Sequence, residues 1–243
     1  MRPEDAPAAA FVATDCERYD SDNELDPRRM RTSSTWRQPT PIRLSFANPG
    51  HAQSMFGWSH TTPMQFLPTE IPGVVVIEPR VFDDPRGFFL EAYHVSKFKE
   101  AGIDVAFVQD NHSHSVKGVL RGLHYQIEQP QGKLIRVVSG EIFDVAVDLR
   151  RSSDTFGRWT SVTLSAENHR MLYVPPGCAH GFYVTSECAD VIYKCTDLYA
   201  PQHERTLRWD DPEVGVPWPL DGEPLVSPKD CEGRSLADAE CYG

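Results

Sequence analysis

The chain has 243 residues, 40% of them hydrophobic and 24% charged, with a formal net charge of −11. That is the balance of an ordinary globular protein with enough chain for one large domain or two small ones. The negative charge argues against a general nucleic-acid binder, though it leaves room for a local basic pocket around a phosphate. No apolar run approaches the roughly 20 residues that cross a bilayer.

Taken in order, the chain changes texture near residue 64. Residues 1–63 are rich in Pro, Ser, Thr, Arg and Asp, with scattered apolar residues and no helical or alternating period. This reads as a disordered or loosely coiled extension. Two explanations stand: a partner-binding arm, and a true start near Met64, directly before the ordered patterning of Gln65-Phe-Leu-Pro-Thr-Glu-Ile-Pro-Gly73. Acids in Met1-Arg-Pro-Glu-Asp5 stand where a secretory leader wants bases. Six cysteines, at 16, 178, 188, 195, 231 and 241, form no CxxC pair or compact framework. They read as reduced thiols, and the chain as cytoplasmic.

From residue 64 to 243 short apolar runs alternate with turn signals every eight to twelve residues or so, the pattern of an all-β sandwich or barrel. Val74–Glu78 reads as a strand ended by Pro79. Asp83-Asp-Pro-Arg-Gly87 reads as a turn into a strand at Phe88–Tyr93. Ser96–Ala101 is the one clear helix, with Ser96 as N-cap and Gly102 as terminator. Further strands are expected at Ala106–Asp110, Gly118–Gln126, Lys133–Ser139, Glu141–Leu149, Arg158–Leu164, Met171–Val174, Gly181–Thr185, Asp190–Thr196 and Thr206–Trp209, with a tight turn at Ser139-Gly140. Pro217–Gly243 reads as loop with a short helical piece around Ser235–Ala239. The sum is an all-β jelly roll with a few short helices and an interior able to hold a ligand.

The stretch Gly118-Val-Leu-Arg-Gly-Leu-His-Tyr-Gln126 carries the chemistry. Strand alternation puts Gly122, His124 and Gln126 on one face, and Arg121, Leu123 and Tyr125 on the other. His124 suits proton abstraction near neutrality and would gain from a carboxylate partner. Asp110, Asp144, Asp197 and Asp230 all qualify, and spacing does not choose among them. Lys133 or Arg121 could hold a developing oxyanion, and Tyr193 or Tyr199 could deliver a proton from another side. A metal site is the competing chemistry. His112-Ser-His114 and His180 supply imidazoles, but Ser115-Val-Lys-Gly-Val-Leu120 lacks the carboxylate a cupin metal site needs after its HxH pair. His112 and His114 therefore read as polar loop residues, and no metal is expected.

Several blocks together resemble one family. They are Phe107-Val-Gln-Asp-Asn-His-Ser113, the Gly118–Gln126 stretch, Gln131-Gly-Lys133, Pro176-Gly-Cys-Ala-His-Gly-Phe182 and Tyr193-Lys-Cys-Thr196. In order and spacing they resemble the dTDP-4-dehydrorhamnose 3,5-epimerase family from about Ile71 to Asp230, and residues 1–63 have no counterpart in it. The resemblance implies a cupin-type jelly roll, a homodimer, and no metal or organic cofactor. It also implies a dTDP-4-keto-6-deoxy sugar as substrate, with rhamnose for surface polysaccharide as the outcome.

By the same resemblance His124 is the base, Asp230 the carboxylate that orients it, Tyr193 the acid on the opposite face, and Lys133 the lysine near the sugar C4 oxygen. Arg86, Gln109, Asn111, Arg121 and His180 would line the substrate site. Arg86, Arg121 and Lys229 would stand near the pyrophosphate, Phe89 and Tyr199 near sugar or base, and Glu91 would come from an adjoining strand. The implied reaction inverts C3 and C5 through an enolate. A single-centre epimerase, a metal-dependent cupin and a non-catalytic sugar-binding jelly roll are the alternatives. The departure of Cys231–Gly243 from the usual family tail leaves Asp230 near a chain end, where fraying would loosen its hold on His124.

Overall fold

A computed structural model describes residues 63–243. The expectation of a loose arm over residues 1–63 lies, but for Pro63, outside the described residues. In chain order the elements are β1 (Gln65–Pro68), β2 (Val75–Glu78), β3 (Val81–Asp84), β4 (Gly87–Leu90), α1 (Val95–Glu100), β5 (Gln109–Val116), β6 (Val119–Gln126) and β7 (Lys133–Ser139). They continue with β8 (Glu141–Asp148), β9 (Trp159–Ser165), β10 (Met171–Val174), β11 (Cys178–Val184), β12 (Cys188–Cys195), β13 (Glu204–Thr206), β14 (Leu225–Val226) and α2 (Pro228–Cys231).

Two sheets face each other. The first runs β1-β2-β10-β7-β12-β5, and the second β13-β6-β11-β8-β9 with β14 alongside β6. β3 and β4 form a separate hairpin. This is the jelly roll that the spacing of apolar runs and turns predicts. Between the sheets lies a core of inward residues from both, including Ile135, Val137, Ile142, Ala146, Phe182, Val184, Ala189 and Val191. Helix α1 covers the outer face of the first sheet through Phe98, which packs with Ile77, Leu134, Met171 and Tyr173. The C-terminal segment covers the outer face of the second sheet, where Leu207, Val214, Leu236 and Ala239 pack on Leu123, Tyr125, Val145 and Val147. Each large aliphatic side chain buried this way contributes about 1.5–3 kcal/mol.

That outer core also holds the C-terminal tail. Tyr242 donates its hydroxyl to the Gln126 carbonyl at 2.5 Å and its amide to Leu149 at 3.0 Å. Tyr125 donates its hydroxyl to the Glu240 carbonyl at 2.7 Å. The tail is thus tied to Tyr125, Gln126 and Leu149, and Asp230 itself is buried.

Several boundaries also move. α1 begins at Val95, His94 caps it without a side-chain bond, and Ser96 sits inside the first turn. Gly102 does terminate it, at φ +88° with its amide on Lys99. The strand expected over Ala106–Asp110 instead runs Gln109–Val116, so His112 and His114 stand on a strand. Their even-numbered parity points them outward, where both meet Asp190, at 2.9 and 3.2 Å. The strand expected at Gly181–Thr185 is Cys178–Val184, and the one expected at Thr206–Trp209 is Glu204–Thr206. The late helical piece falls at Pro228–Cys231 rather than Ser235–Ala239, capped by Ser227, whose Oγ accepts the Asp230 amide at 3.2 Å.

The most consequential correction concerns β6. His180 pairs with His124, but Phe182 pairs with Arg121, so one extra residue of β6 is accommodated between those two points. A bulge resets strand alternation. Arg121 thereby faces the interior together with His124, while Leu123 and Tyr125 face the outer core. Simple alternation had separated Arg121 from His124.

Candidate active site

The interior faces of the two sheets supply the site. On β6, His124 directs Nε2 at Asp230 Oδ1, 2.5 Å away, with side-chain exposures of 28% and 4%. The second Asp230 oxygen accepts the Gly122 amide at 3.4 Å. Burial alone would push the Asp230 carboxyl up, but the hydrogen bond and charge of His124 outweigh it, and the pKa is lowered. Asp230 is therefore an anion that fixes which imidazole nitrogen stays free. Its sequence distance from His124 is the reason spacing left four carboxylates open. Asp110 instead pairs outward with Lys194, Asp197 accepts the Leu198 amide, and Asp144 binds His180.

Lys133, on β7 of the opposite sheet, reaches across so that Nζ donates to the His124 carbonyl at 3.4 Å. Burial holds its pKa below the usual lysine range. On the same interior face Cys195 lies opposite Lys133, and Tyr193 lies opposite Ile135, so Lys133 and Tyr193 are diagonal neighbours. Burial pushes the Tyr193 phenol upward, which keeps it a proton donor at neutral pH.

Around this centre the residues that the resemblance assigns to the substrate site form a chain of contacts. Asn111 donates to Cys195 Sγ at 3.5 Å and accepts from Gln109 at 3.0 Å. Gln109 accepts the Tyr199 amide at 2.9 Å. The Tyr199 hydroxyl donates to Glu204 at 2.6 Å, which pushes its pKa up to about 12. Lys229 pairs with the same Glu204 oxygen, next in sequence to Asp230. Arg121 spans the sheets to Ser115 Oγ at 2.9 Å and to the His114 carbonyl at 3.3 Å. His180, cross-strand from His124, points Nε2 at both oxygens of buried Asp144, at 2.9 and 3.0 Å.

Sequence reasoning missed Glu204 entirely. It sits on a three-residue strand too short to show a period, and only the fold brings Tyr199 and Lys229 to it. Conversely, Arg86, Phe89 and Glu91 are not brought to His124. They lie on or beside the β3–β4 hairpin, where Arg86 binds Asp84, Glu91 binds Lys97 at 2.6 Å, and Phe89 lies against Phe82. The Arg86 side chain is 90% exposed and Phe89 70%. Among the described residues no three His, Cys, Asp or Glu side chains gather as a metal site, and no helix is long and apolar enough to cross a membrane. The five described cysteines are free thiols.

A match to the family described as dTDP-4-dehydrorhamnose 3,5-epimerase spans residues 68–238. A Pseudomonas aeruginosa protein of that name is 59% identical over 173 residues, covering 71% of this chain and 96% of the relative. The crystal structure of a Legionella pneumophila dTDP-6-deoxy-D-glucose-3,5-epimerase, in complex with dTDP-4-keto-L-rhamnose, is similar with a TM-score of 0.71 at 49% identity, covering 73% of this chain and 95% of that one. A Streptomyces niveus dTDP-4-dehydrorhamnose 3-epimerase is 41% identical, covering 74% of this chain and 87% of the relative. The fold and these likenesses define an isomerase built on a cupin-type jelly roll. The chain belongs to the dTDP-4-dehydrorhamnose 3,5-epimerase family.

Proposed function

We propose that this enzyme epimerises C3 and C5 of dTDP-4-dehydro-6-deoxyglucose to give dTDP-4-dehydrorhamnose, with residues 64–243 as the working domain. The observation that carries the reading is the His124–Asp230 pair, at 2.5 Å, with Lys133 donating to the His124 backbone. The ketone at C4 acidifies the C–H bonds at C3 and C5. His124, oriented by Asp230, takes one such proton. The resulting enolate oxygen is held by the Lys133 ammonium, a buried donor of the kind that contributes several kcal/mol in a dry site. Tyr193 returns a proton to the opposite face of the ring, which inverts the centre, and the sequence repeats at the other carbon. Only protons move, so the chemistry calls for no redox cofactor.

Gln109, Asn111, Arg121, His180, Tyr199 and Lys229 would bind the nucleotide sugar, Arg121 and Lys229 by its diphosphate. The nucleotide then serves as an anchor whose binding energy orients the reacting sugar. Arg86, Phe89 and Glu91 fit the same site if they are supplied by a second copy. Their hairpin is exposed and separate from its own barrel's interior, which supports a homodimer. The free thiols among the described residues support a reducing, cytoplasmic setting.

The Streptomyces niveus relative supports a second reading, a 3-epimerase acting at one carbon. Incubating metal-free enzyme with dTDP-4-keto-6-deoxyglucose in D2O and following label by NMR separates the two. Deuterium at both C3 and C5 is expected. Label at one carbon selects the single-centre reading, and label at neither sinks both.

A further inference from the structure

Gln126 stands on β6 two residues beyond His124, and the proposed proton transfers give it no part. It is buried, with 3% exposure, and its carboxamide is engaged at both ends. Nε2 donates to the Gln129 carbonyl at 2.7 Å and to the Leu198 carbonyl at 3.2 Å, while Oε1 accepts the Ala200 amide at 2.9 Å. These partners fix which end is nitrogen, because two carbonyls need donors and an amide needs an acceptor. A glutamate in this place would lack the donors, and a methionine would lack both. With its N–H groups committed to backbone, Gln126 has no donor left for a ligand. Its influence on one passes through the segments it holds.

Those segments are residues 127–132, which lead into Lys133, and residues 196–203, which carry Tyr199. They lie side by side: the Ile127 amide donates to the His203 carbonyl at 3.0 Å, and Gln131 Nε2 donates to the Asp197 carbonyl at 2.8 Å. Gln126 joins them between these points. Gln129 adopts φ +50°, a left-handed conformation uncommon outside glycine, so its turn needs a hold from elsewhere. The Gln126 N–H on its carbonyl is such a hold. In the second segment the Gln126 bonds fall on Leu198 and Ala200, the two neighbours of Tyr199. Tyr199 itself donates its amide to Gln109 and its hydroxyl to Glu204, the cross-strand partner of Gln126. Tyr199 is nonetheless 52% exposed. Hydrogen bonds, more than packing, therefore set where its ring lies.

We propose that Gln126 is a positioning residue that preforms the face of Tyr199, so that the nucleotide sugar meets a ring already in place. A ring that must be ordered as the ligand arrives costs affinity. Loss of the hold thus falls on binding, not on proton transfer at His124. The inference rests on the epimerase reading for the identity of its ligand, but its first test does not.

That test is backbone amide exchange in the full chain, followed by NMR. In the wild type the Ala200 amide is expected to be as protected as those of the neighbouring strands, and rapid exchange there overturns the proposal. In Gln126→Met, which keeps the length and loses every polar contact, Ala200 is expected to exchange about tenfold or more faster while β8 amides keep their rates. The second test is turnover of dTDP-4-keto-6-deoxyglucose by the same variant. KM is expected to rise about tenfold or more with kcat changed by less than about threefold. Calorimetric binding of dTDP, which needs no turnover, is expected to weaken similarly. In a Tyr199→Ala background the substitution is expected to raise KM by less than about twofold, since residues that act through one another are not additive. An unchanged KM, a fall in kcat alone, or a full penalty in the Tyr199→Ala background overturns the assignment. If Gln126→Met does not fold, Gln126→Glu repeats the binding and kinetic tests, because it keeps the acceptor for Ala200 and loses both donors. Wild-type enzyme that binds dTDP with the expected exchange pattern but does not turn over this substrate would defeat the epimerase reading. The exchange and dTDP measurements would then decide the role of Gln126 by themselves, so the two failures are distinguishable.

Discussion

Gly122 on β6 and Gly181 on β11 meet backbone to backbone, so closely that a Cβ on Gly122 would stand 2.6 Å from the Gly181 Cα. This contact lies inside the register shift that separates the His180–His124 and Phe182–Arg121 pairs. It is what allows two consecutive stretches of β6 to aim both Arg121 and His124 into the barrel. Gly122 also adopts φ +125°, a region that side chains avoid. Gly122→Ala is expected to lower stability by about 2 kcal/mol or more and to reduce turnover in whatever fraction stays folded. Denaturant unfolding checks the first and specific activity the second; a wild-type midpoint would remove the contact from this account.

Replacing the base is the most direct challenge to the mechanism. His124→Ala is expected to lose about two to four orders of magnitude in kcat with an unchanged far-UV spectrum, since general-base contributions run to roughly 10²–10⁴. Asp230→Asn keeps the shape but loses the anion that sets the imidazole tautomer, and a loss of about 10²–10⁴ is expected by the logic of any His–Asp pair. Near-full activity in either variant would exclude its residue from proton transfer.

Tyr193→Phe tests the acid separately. Proton abstraction does not need the phenol, so solvent exchange at the substrate carbon should persist while net inversion slows by tenfold or more. If inversion keeps its rate, the reprotonating group is some other donor.

A pH prediction concerns stability away from the site. Burial pushes the Asp148 carboxyl up, but hydrogen bonds from Arg150 and Thr155 more than reverse this and bring its pKa down to about 2. A folded pKa below the unfolded value adds stability that is present above about pH 4 and is lost as pH falls towards 2. The contribution at neutral pH is about 2 kcal/mol. Asp148→Asn should be less stable than wild type at pH 7, with the gap narrowing as the pH falls through this window. A gap independent of pH would mean the loss is one of packing alone.

The sequence reading also assigns residues 1–63 no part in the chemistry. A chain starting at Met64 is expected to keep wild-type kcat and KM. A loss beyond about fivefold would make the extension part of the working enzyme.

The amino-acid order by itself determined the class of fold and the composition of the site. Short β-branched runs with Gly, Pro and Asp between them specify paired sheets, because each run can bury only one face before a turn is imposed. The turn at Ser139-Gly140 is local in the same sense, because Gly140 adopts φ +74°, a conformation that glycine reaches without strain. Motif blocks such as Gly118–Gln126 likewise carry their family resemblance without any tertiary information.

What the tertiary structure decided is which residues meet. Strand alternation is exact only while the register holds, so the bulge at Gly122 was invisible to a parity argument, and Arg121 was placed on the wrong face. The partner of His124 came from a four-residue helix over a hundred positions away, out of reach of any spacing rule. Glu204 gained its role solely because folding brings Tyr199 and Lys229 to one carboxylate. Asp144 found His180 in place of His124 because cross-strand register, a property of the assembled sheet, fixes neighbours that the chain order does not contain.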